Sequence, residues 1–278
     1  MSAGNLSALV IALREGIEMT IIAGIVLAYL TQLGAGRAHR WVWLGLGAAA
    51  AVSVAFLGVL NVLNAEFQGT TEQLFEGATM LLAAGFLTWM IFWMLRQSRY
   101  LKGELHRAVQ ETLAAGGAAW GIFLLVFFAV VREGVETALL LFAAPGEGKL
   151  LGSALGLAIS VGVGVLIYAF GRRIDLRTFF KITGVLLVFF AAGLVTHGVH
   201  EFVEAGVIGG GPQLFDLRST LPDTEGAGAM LRSLLGYSAD PTLIEGLAYA
   251  GYLVLAIVLW RTGIIGRIAA PKMAAKSA

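Results

Sequence analysis

A chain of 278 residues that is 58% hydrophobic and only 13% charged lies far below the roughly 25% charge of a soluble domain, and its balance is that of a protein crossing a membrane repeatedly. The net charge of +1 argues neither for a nucleic-acid partner nor for an acidic tail. Cysteine is absent, which excludes disulfides, thiolate metal ligands, iron–sulfur clusters and thiol catalysis, and leaves metal chemistry to carboxylate, imidazole, hydroxyl or carbonyl groups.

Met1 to Ser7 carry neither a basic n-region nor a small-residue cleavage site, so the first apolar run reads as a permanent span. A spanning helix needs about 20 mainly apolar residues. Seven segments qualify, at about 6–33, 41–63, 73–95, 119–144, 150–170, 178–205 and 244–262. The predicted class is all-α, a single polytopic membrane domain over 1–278. Short joins between spans carry an uneven share of basic residues. Arg37 and Arg40, then Arg96, Arg99, Lys102 and Arg107, then Arg172, Arg173, Arg177 and Lys181, and finally Arg261, Arg267, Lys272 and Lys276 fall on one side. Lys149, Arg218 and Arg232 fall on the other. The positive-inside rule then puts the N-terminus outside and the C-terminus in the cytoplasm.

The chain also echoes itself. Arg14-Glu15-Gly16-Ile17-Glu18 in the first span returns as Arg132-Glu133-Gly134-Val135-Glu136 in the fourth. Leu44-Gly45-Leu46-Gly47 returns as Leu155-Gly156-Leu157-Ala158, and Ala83 to Thr88 as Ala191 to Thr196. Two three-helix repeats are expected, about 6–95 and about 119–205, the second inverted because each holds an odd number of spans. Chance similarity between Ala/Gly/Leu-rich helices accounts for the second and third echoes but not for the pentapeptide. Residues 206–243 form an outer Gly-rich loop, read equally as lid, docking surface or linker. The seventh span, 244–262, lies outside the repeat, and its Glu245 reads as packing.

A charge at the centre of a membrane helix costs roughly 2.5–3.5 kcal/mol on insertion scales, so six motif charges need a reason. In a helix Glu15 and Glu18 share a face, and Arg14 sits one turn from Glu18; Glu133, Glu136 and Arg132 repeat the pattern. Two antiparallel helices then present four carboxylates across one gap, with Gly16 and Gly134 allowing close backbone approach. Four carboxylates against two guanidiniums leave the site negative and in want of a cation. The alternative is a structural clamp locking helices together, although apolar packing would do this at lower cost.

His197, His200, Glu201 and Glu204 fall on one face at the outer end of the sixth span, and Glu72 and Glu76 open the third from the same side. Together they read as a metal-collecting vestibule. The competing readings are a solvated helix end for the first four and dipole-favoured N-terminal acids for the pair. Trp41, Trp43, Trp89, Trp93 and Trp120 read as interfacial anchors or packing. A carboxylate-rich, thiol-free site suits a hard cation, Fe³⁺, Mg²⁺, Ca²⁺ or Mn²⁺ alike.

The doubled Arg-Glu-Gly-x-Glu motif in spans one and four of a seven-span chain resembles the oxidase-dependent iron permease family, in its bacterial EfeU-type form, over essentially the whole sequence. That resemblance implies high-affinity iron uptake across the plasma membrane. It assigns Glu15, Glu18, Glu133 and Glu136 to iron binding or translocation and makes Arg14 and Arg132 part of each motif. It also implies Fe³⁺ as the form passed on, no bound cofactor, and partners in a haem peroxidase and a periplasmic iron-binding protein. A homo-oligomer is compatible with the sequence. Oxidation of iron would belong to the partner, leaving this chain a transporter rather than an enzyme. Rival readings are a permease for another divalent or heavy metal, an intramembrane di-iron oxidase, and a proton-coupled carrier of an organic cation. The oxidase reading lacks the Glu-x-x-His pattern common in such sites.

Overall fold

The computed structural model describes residues 3–97, 101–114, 118–144, 146, 148–170 and 176–262. Part of the orienting charge, including Arg99, Arg172, Arg173 and the tail beyond Thr262, lies outside the described residues. Nine α-helices appear among the described residues: α1 (Ala3–Gln32), α2 (His39–Glu66), α3 (Thr70–Gln97), α4 (Leu101–Ala114), α5 (Ala118–Ala143), α6 (Lys149–Phe170), α7 (Leu176–Glu204), α8 (Gly226–Leu235) and α9 (Leu243–Thr262). A single 3₁₀ turn, Gly36–Ala38, leads into α2.

Each of the seven apolar segments is therefore a helix. Among the described residues five stretches are long and apolar enough to cross a membrane: Gly36–Glu66, Thr70–Met94, Lys149–Leu166, Lys181–Glu204 and Leu243–Thr262. α1 and α5 match them in length but carry the Arg-Glu-Gly-x-Glu charges. Helix ends follow local chemistry. Gly34, in the left-handed region at φ 69°, closes α1 by donating to Thr31 O while Ala35 donates to Leu30 O. Gly206 at φ 73° closes α7 in the same way, with donors reaching Val203 O and, from Val207, Phe202 O. Only glycine adopts this conformation without strain.

Packing runs in crossed pairs: α1 lies along α6, α2 along α5, and α3 along α7, with α9 against α7 and α1 against α5. Small residues make the close approaches. A Cβ at Gly156 of α6 would stand 2.6 Å from Leu9 O of α1, and one at Gly45 of α2 would stand 2.9 Å from Phe123 O of α5. Gly77 and Gly198 face each other across the α3–α7 seam, each Cβ position about 3 Å from the other's carbonyl. This is how apolar helices associate where no hydrophobic force separates them from lipid. α3 and α7 are the inner walls, with 56% and 50% of their apolar stretch buried, against 11%, 17% and 17% for the stretches containing α2, α6 and α9. Trp43, Leu44, Val54, Leu150 and Val254 are among the large apolar side chains left facing outward, as lipid contact requires.

Two apolar clusters divide the core. One gathers Ile11 of α1, Leu87 and Ile91 of α3, Leu140 of α5, Leu187 and Leu194 of α7, and Tyr252 of α9. The other gathers Ile22, Val26 and Leu30 of α1, Val42 of α2, Val109 of α4, and Ile122, Val126 and Val130 of α5. α1 runs from the first cluster to the second and α5 runs back. Both motifs fall in the layer between.

Two helices were not foreseen. α4 lies in the join between α3 and α5, where only basic residues stood out; its Leu105, Val109 and Leu113 pack into the second cluster, and His106 stacks on Tyr29 with ring centroids 4.0 Å apart. Segment 206–243 is no plain linker. Residues 210–217 pair with 239–244 through Leu214 N to Pro241 O, Leu217 N to Ala239 O and Leu243 N to Pro212 O. Between them α8 packs on α1 and α7, and a Cβ at Gly193 of α7 would stand 2.5 Å from Gly236 Cα. The segment is a folded cap that reaches down along α7.

Candidate metal centre

All four motif glutamates are buried: Glu15 is 0% exposed, Glu136 2%, Glu133 5% and Glu18 7%. Carboxylate oxygens of Glu15, Glu133 and Glu136 lie within 4.8 Å of one another, close enough for one ion to hold all three. Glu18 is not within that group but joins it through Arg14. The Glu15, Glu133 and Glu136 carboxylates each keep one buried oxygen, Oε2, with no hydrogen-bond partner. Buried acceptors left unmatched are costly, and each of the three converging carboxylates has one.

Both arginines take up their helical partners. Arg14 Nη1 donates to Glu15 Oε1 at 2.5 Å, and Nη2 lies 3.2 Å from Glu18 Oε1, an ion pair without hydrogen-bond alignment. Arg132 Nε donates to Glu136 Oε1 at 2.9 Å and stands 3.9 Å from Glu133 Oε1. The environments differ. Arg14 is 2% exposed, whereas the Arg132 side chain is 34% exposed and lies over the rings of Trp93 and Trp89. The expectation that the motif glycines let α1 and α5 approach each other needs correction. A Cβ at Gly16 would collide with Ser160 of α6, and one at Gly134 with Ser53 of α2. Each motif glycine therefore seats its helix against the second span of the opposite half. Ser53 donates to Ala49 O and Ser160 to Leu157 O within their own helices, so neither brings a loose donor to the site.

The six outer residues are brought partly together. Across the α3–α7 seam, Gln73 Nε2 donates to Glu204 Oε2 at 3.2 Å, and a Cβ at Gly77 would stand 3.1 Å from Glu201 Cβ. Glu72, Glu76 and Glu201 are half-buried there, and Asn64 of α2 donates to Glu76 at 2.8 Å. His200 lies between two carboxylates, Nε2 3.1 Å from Glu204 and Nδ1 2.8 Å from Glu245. His197 turns away, its Nδ1 2.8 Å from Gly193 O of its own helix. Glu76 shares α3 with Met90, which touches Arg14, and the two stand about 21 Å apart along the axis at 1.5 Å per residue.

Glu245 is more than packing. It is 3% exposed, it accepts from Thr242 N, and it bonds His200, so α9 closes the outer cluster. An acid at a helix start gave a signal for its place on α9 but none for its partner. Trp89 and Trp93 also do more than pack. With Met90 and Met94 they receive the two arginines. The Trp-Met pair repeated one turn apart was the available clue.

Comparison with known proteins places these residues in a family. The profile of the iron permease FTR1 family matches residues 5–269. A protein of Escherichia coli O6:H1 named ferrous iron permease EfeU is 36% identical over 254 residues, covering 89% of this chain and 92% of its own length. Its namesake from Shigella sonnei stands at the same identity and coverage. One from Yersinia pestis is 35% identical over 256 residues, 90% of this chain and 91% of its own. No solved structure matches.

Proposed function

The chain belongs to the iron permease FTR1 family, and on that premise we propose that it carries iron through its membrane by way of one buried site shared between α1 and α5. A single observation carries this reading: three buried carboxylates from two helices converge within 4.8 Å, with an unmatched oxygen on each. Glu15, Glu133 and Glu136 hold the ion directly, and Glu18 completes the negative field behind Arg14. The donor set is all carboxylate, which favours a hard ion, and we take Fe³⁺ as the form bound. A ferrous cargo is the second reading, favoured by the names its relatives carry. In either state iron is cargo rather than cofactor.

Seven spans with an outer N-terminus are the proposed topology, α1 and α5 joining the five apolar stretches. The crossed pairing supports an inverted repeat: exchanging the two halves maps the α1–α6 contact onto α5–α2 and returns α3–α7 to itself. The exchange likewise maps Gly16 against Ser160 onto Gly134 against Ser53. Iron would meet Glu72, Glu76, Glu201, His200 and Glu204 first, then the midplane site, and leave when one repeat rocks against the other. The resemblance adds an external oxidising haem peroxidase and a periplasmic iron-binding protein as suppliers.

Iron uptake into proteoliposomes tests the reading, with Fe³⁺ offered as a soluble chelate and Fe²⁺ kept reduced by ascorbate. Wild type should accumulate iron, and Glu133→Ala should not while remaining folded in the membrane. Uptake by Glu133→Ala at the wild-type rate would overturn the shared site. Uptake of Fe²⁺ alone would select the ferrous reading.

A further inference from the structure

α3 contributes no motif residue, yet both motif guanidiniums rest on it. Arg14 Nη1, bonded to Glu15, also reaches the Met90 sulfur at 3.2 Å, and Nη2, paired with Glu18, reaches the Met94 sulfur at 3.3 Å. Each terminal nitrogen is thus shared between one carboxylate of α1 and one thioether of α3. Arg132, bonded to Glu136, lies with its guanidinium carbon 4.3 Å from the Trp93 ring centre and 5.9 Å from that of Trp89. Trp89-Met90 and Trp93-Met94 are one helical turn apart, so α3 presents two sulfurs to α1 and two indole faces to α5. The acids of α3, Glu72 and Glu76, stand at its far end.

The chemistry of this face is unusual for a partner of buried arginine. A thioether is a weak acceptor and an indole face attracts a cation without carrying charge. Such a surface can hold a guanidinium without adding to the negative field of the site. A carboxylate there would hold the arginines more firmly but would also compete for the incoming ion.

We propose that this face of α3 is a resting surface for Arg14 and Arg132: the guanidiniums neutralise the glutamates while the site is empty, and α3 keeps them when a cation takes the carboxylates. Trp89, Met90, Trp93 and Met94 are positioning residues, acting through the arginines and not on the ion. The proposal rests on the reading that the motif glutamates receive the cation. Without the α3 contacts the arginines have only the glutamates to hold, and they become competitors of the ion.

The test compares iron uptake by wild type with Met90→Leu/Met94→Leu, which keeps volume and removes both sulfurs, and with Trp93→Leu and Trp93→Phe. The combined Met90→Leu/Met94→Leu/Trp93→Leu protein should need about tenfold more iron for half-maximal uptake, with a saturating rate near wild type. Trp93→Phe, which keeps an aromatic face, should recover part of the shift that Trp93→Leu causes. A lowered saturating rate at unchanged half-saturation, or Trp93→Phe no better than Trp93→Leu, would overturn the proposal and leave α3 a packing wall. A second measurement needs no transport: Ga³⁺, a redox-inert hard cation, is titrated into purified protein while tryptophan fluorescence is read. A saturable change should appear in wild type and be lost in Trp89→Phe/Trp93→Phe; its persistence there would count against Arg132 resting on those rings. Ga³⁺ binding that survives Glu133→Gln would refute the glutamate site itself. Binding lost in Glu133→Gln but of wild-type strength in the α3 variants would refute only the role of α3.

Discussion

The two copies of Arg-Glu-Gly-x-Glu are alike along the helix and unlike around it. In both, the arginine pairs with the glutamate one turn on, at 3.2 Å from Arg14 and 2.9 Å from Arg132. In both, the glycine lies against a serine of the opposite half. Around Arg14 the protein closes completely and offers two sulfurs. Around Arg132 it stays partly open and offers indole. Arg14 is sealed in and Arg132 partly open, while the glutamates of both copies are buried. A repeat fixes local geometry through spacing, while the wall it faces decides its exposure, and α3 shows a different chemistry to each copy.

The largest expected effects ignore this asymmetry. Glu15→Ala and Glu133→Ala should each abolish iron uptake, because either removes a ligand of the same three-carboxylate group; survival of transport in one but not the other would mean that the site belongs to one half. Thermal unfolding in detergent should separate the copies next. Arg14→Ala leaves a fully buried carboxylate pair uncompensated and should lower stability by about 3–5 kcal/mol. Arg132→Ala should cost clearly less, since that side chain is far less buried than Arg14. Equal losses would break the contrast. Gly16→Ala and Gly134→Ala should each destabilise by about 1–3 kcal/mol through overpacking, and Ser160→Gly or Ser53→Gly should rescue its own partner only. Rescue across the pairs would show that the helices pack otherwise.

The smallest effect is expected outside both copies. In the 206–243 cap, Arg218 pairs with Asp216 at 2.7 Å and Asp240 at 3.4 Å, and holds the Asp216 carboxyl down at about 2. A depressed carboxyl contributes stability that is present above its unfolded value near 3.8 and lost as pH falls through about 2. Asp216→Asn should therefore leave the pH profile of uptake unchanged between 5 and 7, checked by the same vesicle assay.

Much of this was legible in the sequence. Hydropathy located seven helices, and spacing alone put Arg14 on Glu18 and Arg132 on Glu136. The buried convergence of Glu15, Glu133 and Glu136 agrees with the doubled motif. What was not legible depends on which helices become neighbours. Gly16 seeks Ser160 and Gly134 seeks Ser53, a choice made by the crossed pairing of α1 with α6 and α2 with α5. Glu245 meets His200 only because α9 packs on α7. Trp93 and Met94 look like ordinary interfacial side chains until α3 is set between the two motifs. α4 leaves a trace, with Leu101, Leu105, Val109 and Leu113 spaced a turn apart, but at 14 residues and with Lys102 and Arg107 it is too short and too charged to read as a span. α8 carries a helical pattern in Leu231, Leu234 and Leu235, but it sits in a Gly-rich segment and depends on α1 and α7 for its place.

The central claim is that two half-motifs make one site. Equilibrium binding of radioactive iron to purified protein tests it most directly, for wild type beside Glu15→Ala and Glu136→Ala. A shared site predicts a single high-affinity iron per chain, lost in either variant alone. Two irons per wild-type chain, with each variant retaining one, would contradict it and make the two copies independent sites.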